Sequence, residues 1–255
     1  MAGVLTQPIE IYRATRKKHD LLFNLYVMRP IAALVVAVAA RTPVTPNQLT
    51  LLNLFIFVVA AVLLPLLPTY SGALIAILVL ELSYCFDCAD GMLARYRKTA
   101  SKAGHLFDFF TDELKALLLM AALALRLYRT GGIGLDTAPW AAGAPSFLVA
   151  GIGGTVVIAS AISLTNFVRR PELSGRETTV EAHYETVEQR APRSLVGRAK
   201  ELVTTFLRFL NHYPSHIWLV AALGRLDVYF WIYIAINLLY LAQGWLGLIV
   251  RFGRF

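Results

Sequence analysis

The chain has 255 residues, 57% of them hydrophobic and only 16% charged, and a mean hydropathy of +0.60. That is too apolar for a water-soluble domain of this length, and the apolar residues fall in runs long enough to span a bilayer. The net charge of +8 does not point to nucleic acid: 17 of the 24 Lys and Arg lie in residues 1–21, 95–102, 169–200 and the C-terminal stretch, alternate segments whose pattern follows the positive-inside rule and suits anionic lipid.

Residues 1–21 are polar and basic, with Arg13, Arg16, Lys17 and Lys18, and lack the apolar segment and cleavage site of a signal peptide. The apolar run from Leu21 is interrupted by Arg29–Pro30, which leaves about ten apolar residues beyond, short of a crossing. An amphipathic interfacial helix within 10–40 is expected there. Pro43, Pro46 and Asn47 mark the start of a first span at about 48–67, closed by Pro65 and Pro68. A second span at about 72–94 leads through the basic connector 95–103 to a third at about 104–128. Gly, Pro and Trp in 131–145 form a loop on the opposite face, and a fourth span covers about 146–168.

Residues 171–198, with Glu172, Glu177, Glu181, Glu185 and Glu188 among arginines, read as a cytoplasmic excursion. A fifth span, about 199–224, contains Arg208, His212, Pro214 and His216 and is either kinked and cavity-lining or partly interfacial. A sixth, about 227–250, ends at Arg251 and Arg254. The expected fold is therefore an all-α membrane protein with one domain over 1–255. Residues 1–45 supply a cytoplasmic N-terminus and the interfacial helix, and 46–255 a bundle of about six transmembrane helices. With the N-terminus inside, six crossings return the C-terminus inside, and all four basic clusters fall on the cytoplasmic face.

Four carboxylates stand at the junction of spans two and three, where a charge near hydrocarbon costs a few kcal/mol or more and is usually functional. Asp87 and Asp90 are spaced i, i+3, and Asp108 and Asp112 i, i+4, so each pair shares a helix face. Two such faces turned together make an oxygen-rich cluster suited to Mg²⁺ or Mn²⁺. Close carboxylates repel unless cations neutralise them, and one or two divalent ions there would hold a diphosphate for in-line displacement. A carboxylate left free of tight coordination can take the proton of an attacking hydroxyl. Residue types and spacing thus give a metal-diphosphate site at a membrane surface.

The same residues read D-x2-D-G-x2-A-R-x8-G-x3-D-x3-D, with Asp87, Asp90, Gly91, Ala94, Arg95, Gly104, Asp108 and Asp112 at the fixed positions. This resembles the signature of the CDP-alcohol phosphotransferases, integral membrane enzymes of phospholipid synthesis, with every position filled. The resemblance implies that an acceptor hydroxyl attacks the β-phosphorus of a CDP-linked donor and CMP leaves. It implies metal binding by Asp87, Asp90 and Asp108, and for Asp112 both a metal contact and the role of general base. Gly91, Ala94, Arg95 and Gly104 would belong to the CDP-donor site, joined by Ser101 and by Pro46, Asn47 and Thr50, which resemble the P-N-x-x-T start of the family's first span. A pair of Mg²⁺ (or Mn²⁺) ions and a homodimer are implied in the same way. The donor is expected to be CDP-diacylglycerol and the acceptor a small polar alcohol, phosphorylated or not; the alternative is CDP-choline or CDP-ethanolamine with diacylglycerol.

Arg169 and Arg170, at the end of span four, resemble arginines that grip the acceptor phosphate in the inositol-phosphate-using branch, although membrane anchoring explains them as well. Lys115 and Arg208 are further acceptor candidates; Lys115 equally suits an ion pair within its helix. Asn47 and Thr50 near a helix start also suit capping, and His105, His212 and His216 read as packing residues. Cys85 and Cys88 form a C-x-x-C with no second cysteine pair, so small buried residues explain them better than a redox or zinc site. An intramembrane prenyltransferase also holds Mg²⁺-diphosphate on Asp-rich helices, but lacks the Gly91, Ala94–Arg95 and Gly104 frame. A cation transporter would place its carboxylates near the bilayer midplane.

Overall fold

Caps and prolines cut the apolar sequence into helices close to the expected positions. The structure, a computed structural model, describes residues 2–17, 20–131, 144–170, 206, 209–210 and 212–253. Helix α1 (Ala2–Thr15) is followed by a π-turn (Asn24–Met28) that runs directly into α2 (Arg29–Ala39). Then come α3 (Pro46–Leu66), α4 (Tyr70–Tyr96), α5 (Lys102–Thr130), α6 (Pro145–Val168), α7 (Ile217–Ala222) and α8 (Leu226–Phe252), with no strand among the described residues. This is an all-α membrane protein.

Local chemistry sets the boundaries. Thr45 and Gln48 form a reciprocal capping box at the start of α3, with Pro46 in its first turn, where a missing N–H costs nothing. Thr69 caps α4 through the Gly72 N–H at 3.1 Å, and Ser101 caps α5 through the Gly104 N–H at 3.0 Å. Helices α3, α4, α6 and α8 are each long and apolar enough to cross a membrane. The 29 residues of α5 are long enough too, but carry Asp108, Asp112, Glu113, Lys115, Arg126 and Arg129. This helix packs against α3, α6 and α8, and Lys115, Arg126 and Arg129 are all buried.

Two expectations need adjusting. The N-terminal region holds two helices rather than one, and Arg29–Pro30 lies inside helical structure. Pro30 falls in the first turn of α2, where it is tolerated, and Arg29 pairs with Asp20. The fifth span is not a continuous helix over its described part: a 3₁₀ turn at Tyr213–Ser215 precedes the six-residue α7. Pro214 lacks the N–H that a continuing helix needs. The 171–198 excursion and residues 199–205 lie outside the described residues, as do 132–143.

Arginine side chains lock the helix ends. Arg126 donates to the carbonyls of Leu64 (2.9 Å), Leu67 (2.8 Å) and Thr69 (2.8 Å), and Arg129 to that of Pro65. The Leu64, Pro65 and Leu67 carbonyls close the end of α3, so these bonds place cations at its negative pole, while the Thr69 carbonyl also accepts the Ala73 N–H of α4. At the other end of α3, Arg97 donates to Val44 (2.5 Å), Ala39 (2.8 Å) and Thr42 (2.7 Å), tying the α2–α3 link to the end of α4. One apolar cluster joins α3, α4, α5 and α8 around Phe57, Leu80, Leu123 and Phe230. A second seats Ile11 and Val36 of α1 and α2 against Cys88 and Met92 of α4. Both cysteines are buried and unbonded.

Candidate active site

Helices α3 and α5 begin, and α4 ends, at the same end of the bundle, which gathers the motif. Asp87, Asp108 and Asp112 each bring one carboxylate oxygen within 4.8 Å of the others. Asp90 stands apart from this triad. It is 5% exposed, and its Oδ2 accepts a 2.6 Å hydrogen bond from Thr50 Oγ1. The four aspartates therefore divide into a converging triad and a buried fourth member held by α3.

The triad fits a divalent cation. Its donors are all carboxylate oxygens, the set preferred by Mg²⁺ and Mn²⁺. Asp108 Oδ1 is buried and has no hydrogen-bond partner among the described residues, a condition that a ligated metal relieves. Lys115, one turn after Asp112, places its ammonium 2.5 Å from Asp87 Oδ1 and 2.6 Å from Asp112 Oδ1. An ion pair is thus what it makes, and it links two helices rather than staying within one.

Asp87 is oriented from a third helix. Asn53, fully buried in α3, donates from Nδ2 to Asp87 Oδ1 at 2.8 Å. Its own Oδ1 accepts from Ser83 Oγ at 2.6 Å, which fixes the amide orientation. Sequence reading missed Asn53, although it follows Thr50 by three residues and so shares its helix face.

Around the triad, the Arg95 guanidinium lies over Gly91: a Cβ built there would sit 3.4 Å from Nη1. Ala94 is half-buried beside it. A Cβ on Gly104 would come within 3.1 Å of Ser101 Oγ and 3.2 Å of Asn47 Oδ1. Glycine here lets the first turns of α3 and α5 touch, which brings Pro46, Asn47, Ser101 and Gly104 together. The Thr50 hydroxyl is committed to Asp90 and to the Pro46 carbonyl. Its place is therefore behind the carboxylate.

The acceptor candidates separate. Arg169 stacks its guanidinium over Phe109 of α5 at 4.8 Å, beside Glu113, which accepts from Asn166 at 3.0 Å. Arg170 is exposed, and Arg208 lies outside the described residues.

A family model described as CDP-alcohol phosphatidyltransferase matches residues 43–252. The chain belongs to this family. It is accordingly a CDP-alcohol phosphotransferase, a membrane transferase of phospholipid synthesis. The match starts just ahead of the Thr45 cap and takes in all eight motif positions, while α1 and α2 precede it. No curated protein matches the chain.

Proposed function

We propose that the enzyme moves the phosphatidyl group of CDP-diacylglycerol to the hydroxyl of a small polar alcohol, with release of CMP. The observation that carries this reading is the convergence of three carboxylate oxygens within 4.8 Å beside the first turns of α3 and α5. Helix N-termini favour anions, so a diphosphate is at home there. Gly91 leaves room for the nucleotide, and Arg95 next to it offers a fork of donors to the phosphates. Pro46, Asn47, Ser101 and Gly104 border the same space, with Thr50 holding Asp90 from behind.

In the transfer, the acceptor oxygen forms a bond to the β-phosphorus as the bond from that phosphorus to the CMP oxygen breaks. The acceptor proton goes to Asp112, the most accessible aspartate of the ion-paired set: its side chain is 52% exposed against 19% for Asp87. Lys115 pairs with Asp112 Oδ1 at 2.6 Å. Two Mg²⁺ or Mn²⁺ ions held by Asp87, Asp90, Asp108 and Asp112 would neutralise the diphosphate and make the phosphorus more electrophilic. Arg169 and Arg170 are the candidates to meet an acceptor that carries a phosphate. We place the site and both termini on the cytoplasmic side, as the basic connectors favour, and take the enzyme as a homodimer.

The test is CMP release by the purified enzyme with Mg²⁺ and CDP-diacylglycerol, CDP-choline or CDP-ethanolamine. CMP from CDP-diacylglycerol with a water-soluble alcohol is the expected result. CMP only when diacylglycerol accepts from CDP-choline or CDP-ethanolamine would reverse the assignment of donor and acceptor.

A further inference from the structure

One turn deeper than the carboxylates, a layer of rings closes the bundle. Helix α3 starts and α4 ends at the site, so Phe57 lies about a turn below Asn53 on α3, and Tyr84 about a turn below Asp87 on α4. Lys115 stands in the same register below Asp112 on α5. All three are buried. The ring of Tyr213, from the 3₁₀ turn ahead of α7, spans α3 and α4 at this level. Its centroid is 6.0 Å from that of Phe57 and 6.2 Å from that of Tyr84, edge to face in both cases. Directly above, the 2.8 Å bond from Asn53 to Asp87 joins the same two helices.

The turn that carries Tyr213 is tied to α4. Asn24 donates from Nδ2 to Asp20 at 3.0 Å, so its Oδ1 is the acceptor that meets the Tyr84 hydroxyl at 2.7 Å. With its proton given to Asn24, the Tyr84 oxygen accepts from His212 Nε2 at 2.7 Å. The Nδ1 of a neutral His212 then accepts from Ser215 Oγ at 2.6 Å. His212 and Ser215 stand on either side of Tyr213 in the chain. The polar atoms of this series are spent on one another, and what Phe57, Tyr84 and Tyr213 present to each other is ring surface. Rings alone hold no water, since a buried water needs about two to four polar partners.

We propose that Tyr213 determines specificity for an alcohol over water: with Phe57 and Tyr84 it floors the reaction site and keeps water from collecting beneath Asp87 and Asp112. The inference rests on the phosphotransfer reading and extends it to the choice of nucleophile. Asp112 is exposed, and a carboxylate that takes a proton from an alcohol can take one from water. Attack by water forms the oxygen–phosphorus bond in the acceptor's place, and the bond to the CMP oxygen breaks. A proton passes to Asp112, and phosphatidate and CMP leave. A transferase suppresses this reaction by leaving water no ordered position near the phosphorus. His212 acts through Tyr84 and is a positioning residue, which holds the turn so that the Tyr213 ring stays across α3 and α4.

The experiment uses the purified full chain with Mg²⁺, CDP-diacylglycerol and the alcohol that gives the fastest turnover, and scores phosphatidate against the transfer product. Both products come from folded enzyme, so their ratio is insensitive to the folded fraction. Tyr213→Ala opens a space beside the Tyr84 hydroxyl and His212 that can hold water, and should raise the ratio of phosphatidate to transfer product about tenfold. Tyr213→Phe keeps the ring and should leave the ratio at the wild-type value. Tyr84→Phe removes only the hydroxyl that holds His212 and should raise the ratio about threefold. An unchanged ratio in Tyr213→Ala, or in Tyr84→Phe where Tyr213→Ala does not fold, overturns the inference and leaves the phosphotransfer reading standing. A rise in Tyr213→Phe as large as in Tyr213→Ala overturns it too, because the hydroxyl and not the ring would then be what matters. No CMP with any alcohol overturns the phosphotransfer reading, and the inference falls with it.

Discussion

The Lys115 ammonium joins Asp87 of α4 to Asp112 of α5, 2.5 Å from one carboxylate and 2.6 Å from the other. It is 2% exposed and serves as a built-in cation among carboxylates that would otherwise repel. A divalent ion drawn to the same carboxylates meets a like charge. At an effective dielectric of 20, two unit charges 4 Å apart interact by about 4 kcal/mol, more than the roughly 1–3 kcal/mol of one charge-assisted hydrogen bond. Repulsion should therefore outweigh lost ordering. Lys115→Met is expected to bind Mn²⁺ at least about tenfold more tightly, as read by the paramagnetic signal of the free ion, and to melt lower without metal. Weaker Mn²⁺ binding in the variant would make Lys115 an organiser of the site and not a competitor.

Asn53 holds Asp87 in place through an amide whose other end is fixed by Ser83. Residues that orient metal ligands typically account for 10–100-fold in affinity or activity. Asn53→Ala should lose about that much in Mn²⁺ affinity, with a parallel loss of turnover. Metal binding at the original affinity would show that Asp87 needs no such support.

Gly91→Ala separates substrate approach from folding. The added methyl would meet only the Arg95 guanidinium, at 3.4 Å, ordinary contact with the end of a flexible side chain. The melting temperature should therefore stay within a degree or two, while the donor KM rises about tenfold because the nucleotide loses its close approach to the backbone. A variant with normal donor KM would place the nucleotide elsewhere.

Much of this arrangement is legible in the sequence, and the boundary of legibility has physical causes. Helices α3 to α6 and α8 start and end within a few residues of expectation because Thr45, Thr69, Ser101 and the prolines act locally on long apolar runs. The eight motif positions are legible for the same reason: helical spacing alone puts each pair on one face. Other features depend on neighbours distant in the chain. Arg97 and Arg126 read as ordinary cations until the carbonyls of 39–44 and 64–69 come into reach. Lys115 looks like a partner for Asp112, but its bond to Asp87 exists only once α4 and α5 pack. The break at Tyr213–Ser215 falls where Pro214 interrupts an apolar stretch, and Arg29 inside the N-terminal helical region pairs with Asp20 nine residues earlier. Pattern could not show that the His216 and Tyr229 rings come within 5.5 Å of each other.

Arg126 should matter for stability and not for chemistry. Its guanidinium donates to three carbonyls at the α3–α4 connection, of which that of Thr69 also accepts from the Ala73 N–H, and each buried group left unpaired costs about 1–3 kcal/mol. Arg126→Met is expected to lose about 3 kcal/mol or more, seen as a clear drop in melting temperature in detergent. The folded fraction should keep its Mn²⁺ affinity, because the aspartates lie at the opposite end of α3. A loss of metal binding without a loss of stability would contradict that division.

In the proposed reaction Asp112 takes the acceptor proton beside a metal-bound diphosphate. Its most direct test compares wild type with Asp112→Asn for CMP release from CDP-diacylglycerol in Mg²⁺ and for CMP binding by calorimetry. The variant is expected to bind CMP within about tenfold of wild type but to release none from the donor. Turnover at the wild-type rate in Asp112→Asn would contradict it.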